Sequence, residues 1–289
     1  MKRAGKTILF FILISVTITP VEAGPKNDRQ NVQSDPKWQT LLEGLELGIF
    51  FSPRLSEVGD SMIRVLRIDP DRYEFKLFNT TSSDQGRTRT AKEWCLRNGL
   101  VAAINASMYQ TDHKTSVSLM LTESHTNNPR LSKDMTILAF DRQSDEVPPV
   151  KIIDRQCEDF QTWKKKYRTF VQSIRMVSCK GKNVWTQQPQ KWSTAAIGID
   201  NNGKILFIHA RSPYSTHDFI NLLQMLPLDI SRAMYAEGGP EAQLYISAGG
   251  HEFEFIGSFE SNFNNNNENT IAWPIPNIVG ITLRKTSTK

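Results

Sequence analysis

What this chain of 289 residues lacks narrows its function at once. It has three cysteines, Cys95, Cys157 and Cys179, and five histidines. Neither set has the spacing of a structural zinc site, and Asp112 beside His113 is a commonplace loop pairing, so no metal and no cofactor are expected. A strong charge excess is missing too. The formal net charge is +5, basic residues are scattered, and no basic stripe carries interleaved aromatics, which argues against a nucleic-acid partner. There is no Walker loop, dinucleotide fingerprint, Gly-x-Ser-x-Gly elbow or His-Glu-x-x-His. Beyond the N-terminus no apolar run is long enough to span a bilayer. No Pro/Gly/Ser linker or internal repeat divides the chain.

What is present begins with Lys2, Arg3 and Lys6, an apolar run from Ile8 to Ile18, and small residues at Val21-Glu22-Ala23 before Gly24. This reads as a secretory signal peptide over residues 1–23, with an uncleaved anchor as the alternative. Residues 24–37 form a polar leader and residues 38–289 a single domain, secreted or periplasmic. Export permits a disulfide, for which Cys157 and Cys179 are the easier pair by sequence distance. Cys95 lies on the apolar side of a helix with Ala91 and Trp94 and reads as a core residue. Lys164-Lys165-Lys166 are expected on the solvated face of a helix around Trp163.

Alternation predicts strands at Arg64–Ile68 and Tyr73–Leu77, joined as a hairpin by Asp69-Pro70-Asp71, with Tyr73, Phe75 and Leu77 inward and Glu74 and Lys76 wet. Further strands are expected at Thr136–Phe140, Val150–Ile153, Phe170–Val177, Ala195–Ile199 and Lys204–His209, the last two joined by the turn Asp200-Asn201-Asn202-Gly203. A helix begins at Ser215 or Thr216, turns Phe219, Ile220, Leu222, Leu223 and Leu226 inward and stops at Pro227, with Asp218 and His217 in its first turn. Asn262–Asn269 is a low-complexity loop, and Ile271–Leu283 closes the sheet. The fold class is α+β: a single domain with a mostly antiparallel mixed sheet and a few packed helices.

Two stretches look built for chemistry. A helix over Ala91–Asn98, closed by Gly99, leads into the apolar strand Leu100–Ile104 and the polar turn Asn105-Ala106-Ser107-Met108-Tyr109. Far downstream, Ala233-Met234-Tyr235-Ala236 runs into Glu237-Gly238-Gly239-Pro240-Glu241 in the same way. Polar loops at the ends of buried strands are a common way to place a site on a rigid scaffold. Together these stretches resemble the phosphodiester glycosidase domain family. The resemblance extends from about Trp38 to Leu283 through Ser116-Val117-Ser118-Leu119, Gln172-Ser173-Ile174-Arg175-Met176, Ala195-Ala196-Ile197-Gly198 and Trp273-Pro274-Ile275-Pro276-Asn277. It implies cleavage of a sugar-1-phosphodiester, with a phosphorylated glycan or sugar phosphodiester as partner. The chain departs from the family pattern at Ser107, usually Gly; at Ile174-Arg175, usually Gly-Pro; at Ser193, where Arg is common; at Glu237, usually Asp; and at Glu241, where Ser is frequent.

A phosphate monoester leaves an anomeric carbon as a stabilised anion. The demands are then a carboxylate, to stabilise the oxocarbenium-like centre or activate water, and donors for the phosphate oxygens. Glu237 is the expected catalytic carboxylate, the bland alternative being a helix or turn cap. Gly238 and Gly239 would offer backbone N–H groups as a nest, or form only a tight turn. Asn105 and Tyr109 are expected to meet substrate, with an Asx turn as the rival for Asn105. Arg175, His209 and Arg211 are candidate contacts for the phosphate, and Glu241 a second carboxylate that would raise one pKa by like-charge repulsion. Two non-enzymatic readings stand beside this one: a binder of phosphorylated glycans, and an envelope assembly factor working through the Asn262–Asn269 surface.

Overall fold

The computed structural model describes residues 38–285. The expected signal peptide (1–23) and polar leader (24–37) lie outside the described residues. The chain opens with strands β1 (Trp38–Leu42), β2 (Leu45–Phe51), β3 (Met62–Ile68) and β4 (Tyr73–Asn79), then helix α1 (Ala91–Asn98) and β5 (Ala102–Asn105). Two short strands, β6 (Met120–Leu121) and β7 (Thr126–Asn128), precede β8 (Thr136–Arg142) and β9 (Val150–Asp154). After α2 (Phe160–Lys164) come β10 (Tyr167–Ser173), β11 (Arg175–Val177), β12 (Trp192–Asp200) and β13 (Ile205–Tyr214). Helix α3 (Thr216–Met225) leads to β14 (Ile230–Gly238), a 3-10 turn (Gly239–Glu241), β15 (Gln243–Ala248), β16 (His251–Ile256) and β17 (Asn277–Leu283).

These strands form three sheets, ordered β1-β2-β3-β13-β12-β14-β11, β7-β6-β10-β8-β9 and β16-β15-β5-β17-β4. Every ladder between the described strands is antiparallel. With 45% strand and 10% helix, the body is mostly β, and the expected mixed sheet gives way to three antiparallel ones. Their inner faces share one core, in which Leu66, Phe207 and Met234 of the first sheet meet Leu138 and Val171 of the second and Ile104, Leu244 and Val279 of the third. Each outer face is covered by a helix. Helix α3 packs Phe219, Ile220 and Leu223 on the first sheet, α2 packs Phe160 on the second, and α1 packs Trp94 and Cys95 on the third.

The helices form where local chemistry satisfies their ends. Thr90 and Glu93 make a reciprocal capping box on α1: the Glu93 N–H donates to Thr90 Oγ1 at 3.1 Å and the Thr90 N–H donates to Glu93 Oε2 at 2.9 Å. Gly99, at φ +62°, ends it in the left-handed conformation that glycine adopts without penalty. Ser215 caps α3 by accepting from the Asp218 N–H at 3.1 Å. No helix among the described residues is long and apolar enough to cross a membrane.

Two expected pairings change. Asp200–Gly203 does join a hairpin, β12 to β13. The Asp69-Pro70-Asp71 turn does not: β3 pairs with β2 and β13 in the first sheet, whereas β4 pairs with β17 at the edge of the third. Likewise Phe170–Val177 is two strands in two sheets, broken at Ile174. Cys157 and Cys179 form a disulfide, and Cys95 is free and buried.

Candidate functional site

Strand β14 ends at the site. Its register against β12 shifts between Ala195, which faces Glu237, and Ala196, which faces Tyr235. Such a bulge re-aims side chains at the end of a strand. Glu237 is only 9% exposed, and its Oε1 accepts from the Gly238 N–H at 3.0 Å. Burial pushes its pKa up to about 8; the charges of Glu241 and Glu260 add to the rise, and the Gly238 N–H opposes it. At neutral pH Glu237 is therefore mostly a neutral acid.

The two glycines create room. A Cβ on Gly238 would land on the Tyr235 hydroxyl and 3.0 Å from Trp192 Cδ1. Gly239 has φ +64°, and a Cβ there would lie 2.5 Å from Glu260 Oε2. The glycines thus let a tyrosine and a carboxylate close over the backbone. The Gly238 N–H is already taken by Glu237, which removes it from any anion nest.

Around Glu237 stand Glu241, Glu260, Tyr109 and Tyr235. The Tyr109 hydroxyl lies within reach of the Glu241 carboxylate, and burial, that contact and the neighbouring carboxylate charges hold the phenol protonated far above its usual range. Tyr235 is raised by burial and by the same three glutamates. Glu260 is half-buried, and its pKa is raised by burial and by Glu241 with no donor or cation opposing. Among the described residues, no ammonium or guanidinium group offsets this cluster.

The structure brings Glu237, Gly238, Gly239, Glu241 and Tyr109 together. Asn105 is adjacent but acts on the backbone: its Nδ2 donates to the Glu241 carbonyl at 2.9 Å and its Oδ1 accepts from the Gln243 N–H at 2.7 Å. It locks β5 to the turn that carries Glu241. Ser107 donates to the Gln172 carbonyl and Ser193 to the Arg211 carbonyl, so both departures from the family pattern hold neighbouring segments.

Three expected anion contacts are not brought to the site. Arg175 Nη1 donates to Asp154 Oδ1 at 2.8 Å, to Asp154 Oδ2 at 3.0 Å and to Gln156 Oε1 at 2.7 Å. Its charge belongs to a buried aspartate. Arg211 donates to Asn267 Oδ1 and to the carbonyls of Ile256, Asn267 and Asn269 at 2.7–3.0 Å, pinning the Asn262–Asn269 loop. His209 has no exposed surface, stacks on Phe255 and contacts the Ala242 carbonyl at 3.2 Å. Burial, with the Arg64 charge, drives its pKa down to about 3, so it is neutral and structural. His217 sits in the first turn of α3, 4.0 Å from Asp218.

Sequence reasoning missed Glu260 and Tyr235 as site residues. Tyr235 had no signal in the alternation: the bulge sets it against Ala196 and Glu237 against Ala195, neighbours on β12 that face opposite sides of the sheet. Glu260 had none either; it arrives from the segment after β16. Among the described residues the one grouping with metal-like spacing is Asp154, Cys157 and Cys179, whose sulfurs are joined in the disulfide. A cleft of about 700 Å³ lies elsewhere, between β4 and β8, and includes Lys76, His125, Arg142 and Arg284. It holds none of the Glu237 cluster.

The profile of the phosphodiester glycosidase family matches residues 98–282, which include both strand-end loops and all three glutamates. A search among curated proteins finds no match. Among solved structures, the chain is similar to the catalytic domain of zebrafish N-acetylglucosamine-1-phosphodiester alpha-N-acetylglucosaminidase, auto-inhibited by its pro-peptide. The TM-score is 0.59 at 12% identity, over 85% of this chain and 86% of that one. It is also similar to a hypothetical protein from Synechocystis, with a TM-score of 0.56 at 12% identity, over 86% of this chain and 64% of that one. At such identities the structural likeness speaks for the fold, and the profile match speaks for descent: the chain belongs to the phosphodiester glycosidase family.

Proposed function

We propose that the protein is an exported hydrolase that cleaves the anomeric C–O bond of a sugar-1-phosphodiester in a cell-envelope or extracellular glycan. The observation that carries this reading is Glu237, a buried carboxyl kept neutral at physiological pH beside two further carboxylates. A neutral acid does not repel the phosphodiester anion and can donate to the departing phosphate oxygen. This gives Glu237 the part of proton donor rather than the charge-stabilising carboxylate expected from sequence. Export is supported by the Cys157–Cys179 disulfide, which suits an oxidising compartment, and by the basic, apolar and small-residue order of the N-terminus.

A glycan binder of the same fold is the rival reading, and Glu237→Gln separates the two: it should abolish turnover in an enzyme and largely spare affinity in a binder. The assembly reading would work through the Asn262–Asn269 loop, which keeps Phe263 exposed while its asparagines brace its own backbone: Asn264 donates to the Ser258 carbonyl, Asn266 accepts from the Glu268 N–H, and Asn269 donates to the Gly257 carbonyl.

The test is to incubate the mature protein with a panel of sugar-1-phosphodiesters and follow sugar release by mass spectrometry. Release is expected from at least one substrate, and Glu237→Gln is expected to lower kcat by about 10²–10⁴-fold. Release that survives that change would overturn the assignment of Glu237. No release from any substrate would overturn the hydrolase.

A further inference from the structure

Resting on the hydrolytic reading above, we propose that Glu260 is the second catalytic residue: its carboxylate takes the proton of the water that attacks the anomeric carbon. Three observations carry this. The first is position: Glu260 Oε2 occupies the space left by the missing side chain of Gly239, the residue two beyond Glu237. The second is rigidity. The Glu260 N–H donates to the Asn264 carbonyl and the Asn264 N–H to the Glu260 carbonyl, each at 2.9 Å, and Glu260 bridges to Trp192 on β12. The flanking residues are tied as well, with the Ser193 N–H donating to the Phe259 carbonyl at 2.9 Å and the Ser261 N–H to the Lys191 carbonyl at 3.0 Å.

The third is availability. Glu241 is already engaged, its carboxylate facing the Tyr109 hydroxyl. Glu260 is half-buried and meets neither a donor nor a cation among the described residues. Partly desolvated and unpartnered, its carboxylate is left free to meet a water. Glu241 is then a positioning residue, fixed by Tyr109 and, through its carbonyl, by Asn105.

The step balances. The water oxygen bonds to the anomeric carbon as the bond from that carbon to the phosphate oxygen breaks. The electron pair leaves with the phosphate, which takes the Glu237 proton, and the water proton passes to Glu260. The products are the free sugar and a phosphate monoester. Proton exchange with solvent returns Glu237 to its acid form and Glu260 to its base form. Direct attack by water inverts the anomeric centre.

The experiment uses the full mature chain and whichever sugar phosphodiester it turns over. Glu260→Gln keeps the shape and is expected to lower kcat by about 10²–10⁴-fold with KM within a few-fold. Glu260→Ala with added azide is expected to yield the glycosyl azide, an outcome that a merely structural role would not produce. Proton NMR of the first-formed sugar is expected to show the inverted anomer. Wild-type turnover with Glu260→Gln at more than half its kcat, or with the retained anomer, would overturn the assignment to Glu260 and leave the hydrolase standing. Absence of wild-type turnover would overturn both.

Discussion

Two acidic neighbourhoods border β14, and they treat charge in opposite ways. At one, Asp154 is almost wholly buried yet fully served. It accepts from Arg175 through both oxygens, from the Cys179 N–H at 2.8 Å and from the Gln156 N–H at 3.0 Å, with the disulfide alongside. At the other, Glu237, Glu241 and Glu260 gather without a cation among the described residues, and one backbone N–H is the only group opposing the rise at Glu237. A buried charge with every lone pair occupied holds a fold together. Carboxyls left short of partners are kept in a state from which protons move.

The sharpest way to break this contrast is to remove the cation from the satisfied corner. Arg175→Ala leaves Asp154 buried without its counter-charge and is expected to destabilise the fold by about 3 kcal/mol, read by urea unfolding. Turnover by the folded fraction should stay near wild type. A loss of kcat with the fold intact would return Arg175 to the site.

The pH dependence of stability should then separate the two neighbourhoods. In the folded state Glu237 binds its proton up to about pH 8, against an ordinary value of 4.5. Between those values the folded chain holds a proton that the unfolded chain has released, so stability falls as pH rises through the window. At about 1.4 kcal/mol per pKa unit the fall is on the order of a few kcal/mol. His209 acts in the opposite sense. Its folded pKa is about 3 against an ordinary 6.5, so stability is lost as pH drops below 6.5. Denaturation midpoints should therefore show a plateau near pH 5–6 and an alkaline decline that Glu237→Gln largely removes. An unchanged decline in that variant would mean that Glu237 is ionised in the fold.

The smallest effect is expected at Gly239. Gly239→Ala puts a Cβ against the Glu260 carboxylate at a left-handed φ, and should cost about 1–2 kcal/mol in thermal unfolding. It should also lower kcat, whereas Gly203→Ala, at a similar φ with open space around it, should cost stability alone.

The sequence made some of this legible and hid the rest for physical reasons. Helix α1, its glycine stop and the Asp200–Gly203 hairpin are local events, decided by caps and turn residues within a few positions. The contiguous run Glu237–Glu241 is legible for the same reason. The Asp69–Asp71 hairpin failed because alternation reports what lies above and below a strand, not what lies beside it: β4 finds its partner, β17, some 200 residues on. Arg175, Arg211 and His209 were read by residue type, yet a guanidinium serves whatever acceptor folding brings near, and here those acceptors are Asp154 and the asparagine loop. Glu260 reaches the site only through the loop after β16, which no local pattern announces.

Strand β11 closes one edge of the first sheet, and its outer side is not left open. The chain turns back over it, Val177 bridging to Asn183 and the Ser178 N–H donating to the Lys182 carbonyl at 3.0 Å. The disulfide at Cys179 and the Arg175–Asp154 pair tie that turn down. An exposed strand edge is a template on which a second chain can add its own strand. By folding three residues of edge under a stapled turn, the protein denies neighbouring copies that template, a safeguard against aggregation on the side of the sheet next to the strand that carries Glu237.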